Sequence, residues 1–344
     1  MYIILTSLLV LFFFLSKNYP NGKKIFLILS LALIVTMSSL RSIDLGINDV
    51  RNVYLRRYET IANSSFFDIF GFDTKYSGSI LWCIFTKVSQ YIWYNYHFYL
   101  GLLCFLTLLP MFIYIEKKSE YPLLSVLIFI SVFYSYSLYL LRHFFALSFI
   151  FWFLLFDTKK VIRNIFLVLA FLIHPTSIIF PIIYYMVSIV ENKKILFIFS
   201  LLLVFLIYVF NKNLVACFLS IFSKEYYKIY TSGIYSVGNL NLYLLIFYGV
   251  MAIPIFIKNT DLEQEEKIFI FSFPLLFSMI ISEDFYRLSF YLIGPYLLLF
   301  PNKFSDLEDK YKLLYEIGYA IICIVTFIYI GYGNNAIPFE FYWR

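Results

Sequence analysis

Residues 134–156 read YSYSLYLLRHFFALSFIFWFLLF, two apolar runs meeting at Arg142 and His143 with almost no loop between them. Backbone groups in hydrocarbon must pair within their own segment, so apolar runs of this kind are helices. Runs of roughly 14–20 apolar residues, the length a bilayer asks for, recur along the chain. Hydrophobic residues make up 62% of the 344, and charged residues only 14%. A soluble domain carries about 25% charged residues, and no soluble core is large enough to hide this much apolar surface. The sequence therefore specifies an all-α, polytopic membrane protein. Its 42 Phe and 32 Tyr suit lipid-facing, helix-packing and interfacial positions.

Working outward from that stretch, the pattern predicts helices at 2–15, 25–40, 98–115, 122–140, 143–156, 162–173, 175–190, 195–210, 240–257, 267–281, 285–300 and 313–331, about twelve transmembrane segments in one membrane domain, 1–344. Segment 79–94, SILWCIFTKVSQYIWY, has Lys87 at its centre and reads as an amphipathic helix lying in the interface. Lysine pairs recur between helices at Lys23–Lys24, Lys117–Lys118, Lys159–Lys160 and Lys193–Lys194, and the positive-inside rule assigns them to the cytoplasm. Alternation satisfies all four only if 79–94 does not cross. Both termini then lie outside, with outer loops at about 41–97 and 211–239. The second loop has Gly233, Gly238 and four tyrosines between Tyr226 and Tyr235, as a lid would.

Several function classes drop out. Cys83, Cys104, Cys217 and Cys323 are scattered with no CxxC pair, so neither zinc nor a disulfide framework is indicated. His97 and His143 have no metal-ligand spacing with His174, and no P-loop, HExxH, GxSxG or dinucleotide fingerprint is present. No cofactor is expected. The net charge of +6 is explained by loop lysines, without nucleic acid. The run from Tyr2 to Leu15 lacks a basic flank and a small-residue cleavage site and reads as a retained helix.

On this topology the cytoplasmic side holds 14 of 19 lysines but one arginine of eight, Arg163. Arg41, Arg51, Arg56, Arg57, Arg142, Arg287 and Arg344 face outward. Insertion does not distinguish Arg from Lys, whereas anion recognition does, because the guanidinium grips phosphate or carboxylate with a planar fork of donors. Arg142 reads either as a snorkelling cation ending a helix or as a functional membrane-edge charge. His174, before the helix-breaking Pro175, is a packed residue at a kink, a ligand to phosphate or sugar, or a proton acceptor. Arg287 follows Glu283 at i+4 and Asp284 at i+3; a local ion pair is one account, and a spare carboxylate that contacts a sugar hydroxyl is the other. Arg41 stands at the membrane boundary, Asp49 is placed to orient an acceptor, and Arg51, Arg56 and Arg57 read as a solvated loop. Tyr54, Tyr58 and Trp82 suit either sugar stacking or an interface belt.

Four stretches taken together, LRSIDLGIND (40–49), LLRHFFALSFIFW (140–152), LAFLIHPTSIIF (169–180) and DFYRLSFYLIGPYLLLFP (284–301), resemble the EpsG/Wzy-like family of bacterial polysaccharide polymerases. Arg41 matches that family's first-loop arginine, and Arg142 with Ala146 its Arg-x-x-x-Ala element. His174 matches the histidine ending a helix, and Arg287 with Leu288 and Tyr291 the late Arg-Leu-x-x-Tyr. Two departures stand out: His143 replaces the usual Gln, and Asp49 sits one position beyond the usual Gly-x-Asp.

The resemblance implies a fold like the lipid-linked-sugar (GT-C-like) membrane glycosyltransferases. It also implies a bacterial cytoplasmic-membrane enzyme that joins undecaprenyl-diphosphate-linked oligosaccharide units at the outer face, with a chain-length regulator as a candidate partner. In that reading His174, Arg142, Arg287, Glu283 and Asp284 are catalytic, and Arg41, Asp49 and Tyr291 bind substrate. A flippase of the same units and a membrane O-acyltransferase are the rivals. The middle thirds of the helices hold almost no charge, which disfavours a transporter's midplane site.

Overall fold

The chain is described by a computed structural model for residues 2–343 apart from 45–49, 67, 70–78, 157–158, 221–241, 258–262, 275, 277–282, 305–308 and 334–336. The described residues are helical almost throughout and divide into two compact units, Met1–His174 with Leu298–Arg344, and Pro175–Leu297. This is an all-helical membrane protein. Lys23–Leu40, Tyr96–Lys118 and Tyr311–Gly333 are long and apolar enough to cross a bilayer, and six shorter apolar helices accompany them. Asp49 and most of the 211–239 loop, with its proposed lid, lie outside the described residues.

The first unit contains α1 (Tyr2–Asn18), α2 (Lys23–Leu40), α3 (Arg56–Ala62), α4 (Ile80–Ile92), α5 (Tyr96–Lys118) and α6 (Pro122–Ile128). A π-helical stretch, Phe129–Tyr134, carries α6 into α7 (Ser135–Ser137); α8 (Leu141–Leu155), α9 (Lys160–Ile173) and a late helix, Asp309–Gly333, complete the unit. Lipid is as apolar as a leucine side chain, so these helices associate through close van der Waals fit. Where α2 crosses α5, a Cβ on Gly101 would stand 3.0 Å from the Ser39 hydroxyl, so the approach depends on glycine there. Helix α8 lies between α5 and α9, with Ala146, Ile150, Phe151 and Phe153 wholly enclosed. Asn95 fixes the start of α5 by accepting from the Phe98 amide at 3.0 Å.

Two ends of this unit are distinct. At one, Lys24 meets Glu116 at 3.1 Å, Lys17 pairs with Glu316, and Asn302 bonds the Lys118 carbonyl at 2.9 Å. The pairs Lys23–Lys24 and Lys117–Lys118 share this end. At the other lie Arg41, the starts of α5 and α8, and the finish of α9.

The second unit holds α10 (Ile179–Ile189), α11 (Lys193–Ser220), α12 (Leu242–Ile257), α13 (Gln264–Ser272) and α14 (Glu283–Leu299), and the late helix of the first unit is α15. Glu263 and Glu266 form a capping box that starts α13, and Gln264 ties it to α10 through the Tyr184 carbonyl at 2.8 Å. The predicted helix 267–281 therefore begins earlier and ends at Ser272. The loop helix α3 is not in the sequence expectation at all. It forms because Lys87 of α4 donates to the carbonyls of Ile61, Ala62 and Ser64 at 3.0, 3.0 and 2.8 Å, which caps the negative end of α3.

Candidate functional site

Arg142 is in the first turn of α8, where the helix dipole disfavours a cation. It is half-buried, and its Nη1 donates to the Ser79 hydroxyl at 2.7 Å. Ser79 stands at the N-cap position of α4 without capping it, and is itself buried. A snorkelling arginine reaches for water or headgroups, whereas this one is aimed at a protein hydroxyl.

His174 ends α9. Its amide still bonds the Ala170 carbonyl at 2.9 Å, but its backbone is extended at φ −145°, ψ 105°, ahead of Pro175. That break turns its ring onto α8, where the His143 ring meets it edge to face with centroids 5.5 Å apart. Arg142, His143 and His174 are thus gathered on one turn of α8 and the end of α9.

Arg41 ends α2 with an extended backbone and is only 1% exposed. It lines a cavity of about 20 Å³ with Ser38, Cys104, Thr107, Leu141 and Phe144, enough for one water molecule. Leu141 and Phe144 flank Arg142 and His143 in sequence, so the cavity that Arg41 lines borders the same turn of α8. A backbone pairing with residues near the C-terminus closes this region: the Ser42 amide bonds the Glu340 carbonyl at 2.8 Å and the Tyr342 amide bonds Leu40 at 3.1 Å. The Tyr342 ring lies 4.1 Å from that of His97, whose Nδ1 is 3.0 Å from the Ser39 carbonyl.

The loop aromatics are not sugar platforms in this structure. Tyr54, Tyr58 and Trp82 are 8%, 4% and 2% exposed; Tyr58 and Trp82 pack with Tyr99, Tyr54 packs with Trp82, and Trp82 reaches Phe145 of α8. Burial, then the neighbouring Tyr94, pushes the Tyr58 phenol up to about 12, so it stays neutral. This cluster seats the first loop on the turn that carries Arg142. Arg51 pairs with Asp44 at 2.7 Å in the open, as expected of a solvated loop.

The remaining candidates belong to the second unit. Glu283 and Asp284 begin α14, where acids complement the helix dipole; their side chains lie outside the described residues. Arg287 is half-buried one turn on, and Tyr291 is fully buried a turn later. Sequence reasoning passed over Ser79 and gave His143 no role. The second was legible in principle, because adjacent antiparallel helices that turn at one membrane edge bring 143 and 174 to the same height. Among the described residues no group of three or more His, Cys, Asp or Glu is placed to hold a metal.

A model of the EpsG family matches residues 24–341, nearly the whole chain. No curated protein and no solved structure matches it.

Proposed function

Because the chain belongs to the EpsG family, we propose that this polysaccharide-polymerase-type membrane protein is a glycosyltransferase joining undecaprenyl-diphosphate-linked oligosaccharide units into a surface polysaccharide. The observation that carries the reading is the convergence of Arg142, His143 and His174 at the end of the first unit away from its lysine pairs. In the proposed topology twelve spans place both termini and this end outside the bacterial cytoplasmic membrane, where lipid-linked units arrive after translocation.

The chemistry follows from the leaving group. The bond from the anomeric carbon to the diphosphate oxygen breaks, and a new bond forms to an acceptor hydroxyl of the incoming unit. Negative charge grows on the diphosphate at the membrane edge, and preorganised guanidinium donors stabilise it there. Arg142 and Arg287 supply the forks. Arg41 is enclosed, so its contribution is positive potential beneath the site and a fixed end for α2. The acceptor proton passes to His174, while Glu283 or Asp284 holds the acceptor sugar. One direct displacement inverts the anomeric carbon. Tyr291, fully buried, supports α14 from within.

The test separates polymerase from flippase. His174→Ala is expected to abolish polymer while single lipid-linked units remain open to a non-permeant lectin or glycosidase on the cell surface. Units found only inside the cell would overturn the reading in favour of translocation. Normal polymer would remove His174 from the chemistry.

A further inference from the structure

The contact between His143 and His174 is built by the fold rather than by a loop. His143 is 4% exposed on the first turn of α8, and His174 ends α9, which returns alongside α8. Their rings stand at 74° to one another with centroids 5.5 Å apart, so each bounds the rotation of the other. A histidine displayed alone at a helix end has no such constraint.

We propose that His143 is the positioning and proton-sharing partner of His174, so that the acid–base group of the site is an imidazole pair. The catalytic meaning of the pair rests on the polymerase reading, whereas the pairing itself is independent of it. Two imidazoles in contact repel when both are charged, so the pair takes one proton before the second, and the two titrations belong to the pair. Each ring has one donor and one acceptor nitrogen when neutral, so a proton taken from an acceptor hydroxyl has a second site beside the first.

Other charged and titratable groups stand on the elements around the pair. Arg142 precedes His143 and is directed at Ser79. Tyr136 and Tyr139 lie on the turn before α8. From α5 come His97, turned to Ser39, and Glu116, Lys117 and Lys118 at the opposite end. From α9 itself, Arg163 lies over Phe153 near the start of that helix. From α4, which packs on α9, come Cys83 and Lys87, the latter committed to the carbonyls of α3.

The chain has three histidines, so protein with 15N-labelled imidazoles gives three sets of ring signals. In membrane nanodiscs titrated between about pH 5 and 8, His143 and His174 are expected to change in two linked steps, with His97 separate. His143→Phe keeps a ring edge but carries no proton. It should turn the His174 curve into a single step with its midpoint moved by about half a pH unit, and leave His97 as it was. If the Phe variant does not fold, as the His97 signals would reveal, His143→Gln serves. An unchanged His174 curve overturns the proposal whatever becomes of the polymer.

In cells, both variants should lower polymer about fivefold and displace its optimum in external pH, with single units still exported. Unchanged yield and pH profile would overturn the catalytic part. The polymerase reading would remain intact, because His174→Ala tests it separately.

Discussion

The two ends of the first unit are both cationic, and they use their cations differently. At the lysine end the charges meet carboxylates: Lys24 with Glu116, and Lys17 with Glu316, a residue fully buried in α15. Such pairs neutralise charge and hold helix ends together. At the other end Arg142 meets a serine hydroxyl and Arg41 is enclosed beside a small, mostly apolar cavity. A hydroxyl orients a guanidinium without cancelling its charge. In the proposed function lysine anchors at one end and the fork of arginine recognises an anion at the other.

The sharpest way to break this comparison is to show that the two ends share one side of the membrane. With a non-permeant thiol reagent on intact cells, Thr60→Cys on α3 should label fully and Lys118→Cys not at all. Equal labelling would end the distinction. Next comes charge against geometry. Arg142→Lys keeps the cation and loses the fork, and should lower polymer by at least about tenfold with normal accumulation in the membrane, while Lys24→Arg should change little. Full polymer from Arg142→Lys would make the two ends equivalent. The smallest effect is on stability alone. Lys17→Ala strands the Glu316 carboxylate inside the bundle and should destabilise by about 3 kcal/mol, the lower end for a broken buried pair because Lys17 is a third exposed. Thermal unfolding in detergent measures this, and polymer made per surviving molecule should not change.

Much of the fold was legible because a bilayer imposes length and composition on each segment. The apolar runs at 25–40, 98–115 and 313–331 are helices at Lys23–Leu40, Tyr96–Lys118 and Asp309–Gly333, each extended by polar or charged turns that hydropathy does not count. The helix α3 was invisible because RRYETIA has no apolar run; its order comes from a lysine 25 residues away and from tyrosines that pack beneath it. At the site, residue type and helix-end position pointed to Arg142 and His174. Ser79 gave no signal, since a serine before an apolar run ordinarily reads as a cap. The enclosure of Arg41 was equally hidden, because it depends on a pairing with residues 340–342 some 300 positions downstream.

The ammonium of Lys87 has a wider consequence than holding one short helix. All three of its carbonyl acceptors lie within residues 61–64, so the charge is satisfied only while α4 lies alongside α3. In the proposed topology α4 does not cross; a crossing α4 would shift every later segment by one crossing and carry Arg142, His174 and Arg287 to the opposite compartment. One side chain with three bonds thus sits at the parity bit of the proposed topology, the segment on which the orientation of the following two hundred and fifty residues turns.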